Sequence, residues 1–400
     1  MPDPRESRRR SRALSHALWF ARARPGDYLL AAARMSAGLP MIGRHLEPFG
    51  GFLALGLFAP GFAPGLLATT GRPHLPVGGV DRQRVRHGDT VAAVASGLAD
   101  VVSGSVQWPA PTSLAPVFNS TAHRKHVRHA SVPYGDQPGQ VVDVWSRADL
   151  VGTDAPVLLF VPGGAWVFGS RKLQGHSLMS HLAEMGWVCL SLEYRTSPKH
   201  RWPRQLIDVK AAISWARANV GRYGGDPAFV AVAGCSAGGH LATLAGLTPD
   251  DRTPELPADA DTTVDAVVSI YGSYDWEDRS TPERARFMSF LERVVVQRRQ
   301  RARPETFRAA SPMARMTSDA PPFLVIHGTK DFLIPIHEAE TFAARLRSVS
   351  RSRVSYIPVP GGTHGFDLID GTRTGPVVNA IGMFLDHVHR ERRARVDTAV

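Results

Sequence analysis

From about residue 157 the chain alternates short apolar runs with amphipathic stretches. VLLFVPGG (157–164), WVCLSLEYR (187–195), FVAVAGCS (229–236), VDAVVSIYG (264–272), PFLVIHG (322–328) and VSYIPVPGG (354–362) are of strand length and mostly apolar. That is the pattern of strands buried on both faces. Between them, RQLIDVKAAISWARANVGRYGG (204–225) spaces its apolar residues for one helical face and stops at Gly224-Gly225, as helices commonly do. HEAETFAARLRSV (337–349) and VVNAIGMFLDHVH (377–389) predict further helices. Ahead of this region, HVRHASVPYG (126–135) and QVVDVWSR (140–147) predict an antiparallel edge hairpin or meander. Strands alternating with helices imply an α/β fold with a mostly parallel central sheet and helices on both faces.

The first third has a different texture. Residues 1–24 are arginine-rich, no charge appears in residues 48–71, and residues 90–104 carry apolar side chains at roughly helical spacing. A loop rich in proline and small residues, Pro109 to Pro116, marks a boundary. The organisation expected is a helical, apolar N-terminal region at 1–110, a catalytic domain at 111–390 and a basic tail at 391–400.

A length of 400 residues suits one α/β domain with an appendage. The formal charge of +11 raises nucleic acid as a partner. Seven arginines crowd Arg5 to Arg24 and four crowd Arg390 to Arg395, basic tails on a less basic middle, which fits solvated ends or anionic-lipid contacts rather than a DNA groove. Two cysteines, Cys189 and Cys235, offer no disulfide framework and read as reduced thiols, with the redox compartment left open.

In an open parallel sheet, chemistry gathers at the carboxyl ends of the strands. After FVAVA comes Gly234-Cys235-Ser236-Ala237-Gly238-Gly239, then the helical LATLAGL. A G-x-S-x-G between a buried strand and a helix is a nucleophile turn. It exposes a serine at a helix N-terminus, where free N–H groups favour an oxyanion. Such a serine needs a base, and the base needs an acid to fix its tautomer. GGTHGF (361–366) offers His364 after the last strand, and HGTKDFLIP (327–335) offers Asp331 after the previous one. The chain order Ser236, Asp331, His364 is the one α/β-hydrolases use.

Pro162-Gly163-Gly164-Ala165-Trp166 follows the strand VLLFV, where a glycine-rich loop can supply N–H groups to a developing oxyanion. It departs from the usual HGGG: proline replaces histidine and alanine the last glycine. Ala165 is expected to serve on condition that its φ is negative.

From about His126 to His389, two-thirds of the chain, the sequence resembles the hormone-sensitive-lipase-like esterases. PGGAW (162–166) resembles the GGAW form of isoprenylcysteine-methylesterase-like enzymes and related bacterial lipases and esterases. YRTSPKHRWP (194–203) running into DVKAA (208–212), and YGGDP (223–227), are similar to that family's connections before the nucleophile strand. The resemblance implies an α/β-hydrolase fold and hydrolysis of a small-molecule or lipid ester without metal or organic cofactor. It implies Ser236, Asp331 and His364 as the triad, with oxyanion N–H groups from Gly164, Ala165 and Ala237. It also implies a lid between Ser273 and Pro312.

Alternatives stay open. An amidase or peptidase shares this triad, and a non-catalytic ligand-binding α/β-hydrolase shares the fold, though such proteins typically lose a triad member. Trp166 and Phe168 are candidates for the substrate pocket or for the core. His123, His126 and His129 are spaced by threes, but in a strand His126 would face away from the other two, and nearby Arg and Lys would repel a metal. Ser7-Arg8-Arg9-Arg10 matches an export signal only weakly, since Arg22 and Arg24 interrupt the apolar stretch. Residues 48–71 are long enough to span a bilayer, but Pro60 and Pro64 favour short apolar helices covering the site or lying on a membrane surface beside the arginine-rich N-terminus. Membrane or envelope association is therefore expected over a cytoplasmic location.

Overall fold

The computed structural model describes residues 79–101, 106–112, 114–150, 152 and 154–398, all within one compact unit, Gly65–Val400. The apolar run at 48–71 and the arginine-rich first 24 residues lie outside the described residues.

The strands are β1 (Val127–Pro133), β2 (Val141–Trp145), β3 (Ala155–Val161), β4 (Val188–Glu193), β5 (Gly225–Cys235), β6 (Ala266–Ile270), β7 (Phe323–Gly328) and β8 (Val354–Val359). They form one sheet in the order β1-β2-β4-β3-β5-β6-β7-β8. β1 and β2 pair antiparallel, as the hairpin pattern predicts, and β2 joins β4 antiparallel. From β4 to β8 every pairing is parallel. Every residue of β6 and β7 is buried, which is why those runs show no polar alternation.

The helices used below are α1 (Gly79–Gly97), α2 (His176–Glu184), α3 (Arg204–Asn219), α4 (Ala237–Leu247), α5 (Pro282–Phe290), α6 (Ile336–Val349) and α7 (Gly371–Asp397). In α7, Val377, Ala380, Ile381, Phe384, Leu385 and Val388 are buried at helical spacing. α1 packs on α7 and β8. Its Val94 and the following Leu98 are fully buried and join the same core as Trp145, Phe160, Trp187 and Phe384.

Two elements outrun their periodicity. α1 begins at Gly79, well before residue 90, because its first turns are polar and largely exposed and carry no apolar stripe. α7 begins at Gly371, where the Asp370 side chain accepts from Arg373 N–H, and Pro376 lies inside it. It also runs without a break through residue 391, the expected start of a basic tail, to Asp397. There Arg392 pairs with Asp265, and Glu391 lies 3.5 Å from Arg353.

Register sets the site. Val161 of β3 is level with Gly234 of β5, and Cys235 with Ile270 of β6. Gly328 of β7 is level with Val359 of β8. The loops that begin at Pro162, Ser236, Thr329 and Pro360 therefore leave the sheet along one edge, at its carboxyl end.

Candidate active site

Ser236 stands between β5 and α4 with φ +54° and ψ −120°, a region that costs a non-glycine residue roughly 1–3 kcal/mol. The two glycines of its motif allow the turn. A Cβ on Gly238 would come 2.0 Å from Val161 O, and one on Gly234 would come 2.2 Å from Gly238 O. Neither backbone atom can withdraw, so the motif is dictated by packing.

The loops after β7 and β8 deliver the partners. His364 Nε2 is 2.8 Å from Ser236 Oγ, and His364 Nδ1 is 2.8 Å from Asp331 Oδ2. Asp331 is buried, and its other oxygen accepts the N–H groups of Leu333 at 2.8 Å and Ile334 at 2.9 Å. Burial alone would raise this carboxyl; His364 and His327 together outweigh it and hold Asp331 well below the usual carboxylate range. The ionised acid then accepts from His364 Nδ1–H, and Nε2 is left to accept from Ser236.

Asp367 is the carboxylate nearest in sequence to His364, and it is engaged elsewhere. It accepts the Tyr271 hydroxyl, and burial raises it above its ordinary value. Tyr271 in turn packs its ring 4.8 Å from that of His364.

The loop after β3 is strained over consecutive residues. φ is +132° at Gly164, +52° at Ala165 and +60° at Trp166. The negative φ expected of Ala165 is not met, since its φ is +52°; what keeps it a candidate donor is its N–H, unpartnered among the described residues, rather than its φ. The loop folds back so that Val167 and Phe168 N–H both donate to Gly164 O, at 3.0 and 2.8 Å, and a backbone reversal that tight runs through left-handed residues. Among the described residues, Gly164 N–H and Ala165 N–H have no hydrogen-bond partner. Ala237 opens α4, so its N–H has no partner within the helix. On one side of the loop, Gln174 Oε1 accepts Gly163 N–H at 2.6 Å and the Cys235 thiol at 2.9 Å. Both cysteines are free and buried.

The model of the BD-FAE family matches residues 142–346, about half of the chain. Esterase LipC of Mycobacterium tuberculosis is 53% identical over 387 residues, covering 96% of both chains. The chain belongs to the BD-FAE family. It is a carboxylic-ester hydrolase of α/β-hydrolase fold. Also similar are the probable carboxylic ester hydrolase LipM of the same organism, at 40% identity over 73% of this chain and 67% of that one, and the Arabidopsis thaliana isoprenylcysteine alpha-carbonyl methylesterase ICME, at 30% identity over 60% and 57%. Among solved structures, Thermogutta terrifontis esterase 2 shares the fold with a TM-score of 0.55 at 23% identity, covering 66% of this chain and 96% of that one.

Within this BD-FAE chain the six residues singled out from sequence converge on one edge of the sheet, and Trp166 and the histidine triplet go elsewhere. Trp166 is buried in an aromatic cluster with His240, Trp276 and Phe287. The three histidines at 123, 126 and 129 do not share a strand: His126 is in a 3-10 turn, with its ring nitrogens 2.9 Å from Glu184 and 3.1 Å from Ser180. Among the described residues no cluster of side chains is arranged to hold a metal, and no helix is long and apolar enough to cross a membrane. Sequence reasoning missed His327, Tyr271, Gln174 and His240. Only His240, one helical turn after Ser236, had a signal in the motif itself.

Proposed function

We propose that Ser236 is the nucleophile, His364 the general base and acid, and Asp331 the residue that orients and stabilises the histidine. Ser236 Oγ attacks the ester carbonyl as His364 Nε2 takes its proton. The carbonyl oxygen becomes an oxyanion received by the N–H groups of Gly164, Ala165 and Ala237. His364 returns the proton to the departing alcohol, leaving an acyl group on Ser236. Water, deprotonated by the same histidine, then releases the acid.

The observation that carries this reading is the unbroken line Ser236 Oγ, His364, Asp331 at 2.8 and 2.8 Å, beside a loop with two unpartnered N–H groups. The test is turnover of p-nitrophenyl esters of graded chain length. Ser236→Ala is expected to lose the activity at every length while keeping the wild-type Tm; retained turnover would move the nucleophile elsewhere.

Lipid esters and a membrane surface belong to the same proposal for the N-terminal region, read from sequence as a cap or membrane-associated region at 1–110 ahead of a catalytic domain at 111–390. α1, packed on α7 and β8, belongs with the catalytic core, so the proposal falls on the residues before Gly79. Its support is the uncharged run 48–71 and the arginines of residues 1–24. The full-length protein is then expected to sediment with anionic vesicles at low salt and to be partly released at high salt. Recovery wholly in the supernatant at low salt would remove this part.

A further inference from the structure

We infer that His240 is a positioning residue for ester hydrolysis: it grips the Trp166 indole and thereby holds the left-handed turn that presents the Gly164 and Ala165 N–H groups. The inference rests on the reading of those N–H groups as oxyanion donors.

Both ring nitrogens of His240 are committed. Trp166 Nε1–H donates to Nδ1 at 3.2 Å, so Nδ1 carries no proton. Nε2 therefore carries it and donates to Ala310 O at 2.7 Å. The side chain is fully buried, and burial pushes its pKa down to about 3. A second proton would also put a donor on Nδ1 against the indole donor. One neutral tautomer, with one orientation, is what this pocket accepts.

The imidazole is fixed at its base as well. His240 N–H donates to Ser236 O at 3.0 Å, so the ring hangs from the first turn of the nucleophile helix. It stacks on Trp276 with centroids 4.5 Å apart and planes 2° apart, and Trp166 meets both rings edge-on, at 5.1 and 4.8 Å. Trp276 and Ala310 both come from the 273–312 segment, where Trp276 N–H donates to Ser311 Oγ at 3.2 Å. The strut thus joins three elements: the nucleophile helix, that segment and the oxyanion loop.

The oxyanion loop needs such a restraint. Ala165 and Trp166 hold φ of +52° and +60°, conformations that an alanine and a tryptophan leave when nothing opposes it. Gln174 fixes the loop only at Gly163. On the far side the Trp166 carbonyl accepts Ser197 N–H at 2.9 Å, and the indole bond to His240 fixes the side chain. The free N–H groups lie between these anchors, so their aim depends on both.

The test compares variants that separate the two ring bonds. His240→Asn keeps an acceptor near the Nδ1 position, His240→Gln keeps a donor near Nε2, and His240→Phe keeps the ring and neither bond. Trp166→Phe removes the indole donor with less disturbance, should His240→Phe fold poorly. For each, kcat and KM are measured on a carbonyl ester and on its thionoester, whose sulfur is a poor hydrogen-bond acceptor. In the wild type the thionoester is expected to be slower by about 100-fold or more, as loss of an oxyanion donor is. His240→Phe is expected to lower kcat for the carbonyl ester 10- to 100-fold at nearly constant KM, and to shrink the thionoester penalty in step. Trp166→Phe should do the same to a smaller degree, and His240→Asn should recover more kcat than His240→Gln. A wild type with no thionoester penalty would defeat the oxyanion reading itself. A wild-type penalty that His240→Phe and Trp166→Phe both retain, with unchanged kcat and only a lower Tm, would leave that reading standing and overturn the role of His240. Equal recovery by Asn and Gln would overturn it too.

Discussion

The Ser236 turn and the Gly164–Trp166 loop lie side by side at the carboxyl ends of β5 and β3, and both hold non-glycine residues in left-handed backbone. They reach that state by different means. At Ser236 the restraint is local: Gly234 and Gly238 let backbone pack against backbone, and no Cβ fits at either. At Ala165 and Trp166 the local bonds from Val167 and Phe168 N–H to Gly164 O are joined by remote ties, from Gln174 ahead of α2, from Ser197 after β4, and from His240 on α4 backed by Trp276 and Ala310. A strained site can thus be written into five consecutive residues or spread over side chains far apart in sequence. The first kind fails all at once when altered, and the second should fail by degrees.

The acid beneath the turn sets the upper end of the scale. Asp331→Asn is expected to stay folded, since an amide oxygen can still accept from Leu333 and Ile334 N–H, though with a lower Tm at neutral pH because the carboxylate's pairing with His364 and His327 is lost. It is expected to cost about 10⁴ in kcat by favouring the wrong His364 tautomer. Near-normal kcat would transfer the role to another carboxylate, Asp367 first. Gly238→Ala is the sharpest break of the local restraint. With its Cβ directed 2.0 Å from Val161 O, the variant should lose about 3 kcal/mol or more of stability by denaturant titration. An unchanged midpoint would show that the turn relaxes at little cost.

On the remote side, Gln174→Leu leaves the Gly163 N–H and the Cys235 thiol without their acceptor. The expected loss is about 1–3 kcal/mol of stability and roughly tenfold in kcat, with KM little changed. A variant equal to wild type in both would mean the loop needs no tie at that end.

The smallest effect is a pH dependence of stability. Burial pushes His240 down to about 3 and His176 down to about 4, while an unfolded histidine protonates near 6.5. Between these values the unfolded chain binds more protons than the folded one, so stability falls as the pH drops from about 6.5 toward 3. Asp331, depressed in the folded state, contributes stability that is present above about pH 4 and is lost on further acidification. His240→Phe should flatten the upper part of this slope in Tm measured against pH; an unaltered slope would mean His240 is not held neutral.

The same contrast explains what could be read from sequence. Strand cores such as VLLFV and FLVIHG announce themselves because burial on both faces demands continuous apolar residues, and the Ser236 motif does so because sterics admit only glycine around it. The loops with Asp331 and His364 follow from their places after consecutive strands. The early start of α1 was hidden by polar first turns. The positive φ of Ala165 was hidden because it belongs to a reversal in which Val167 and Phe168 N–H turn back onto Gly164 O, a turn that no glycine at 165 or 166 announces. No spacing rule links Gln174 to Gly163, or Ala310 to His240.

The most direct test of the central claim is covalent. A fluorophosphonate reacts with a serine only where a base activates it and an oxyanion site receives the phosphoryl oxygen. After labelling, proteolysis and mass spectrometry, the wild type is expected to carry one stoichiometric adduct, on Ser236, and Ser236→Ala none. An adduct on another residue, or equal labelling of Ser236→Ala, would contradict the assignment of the nucleophile and the mechanism built on it.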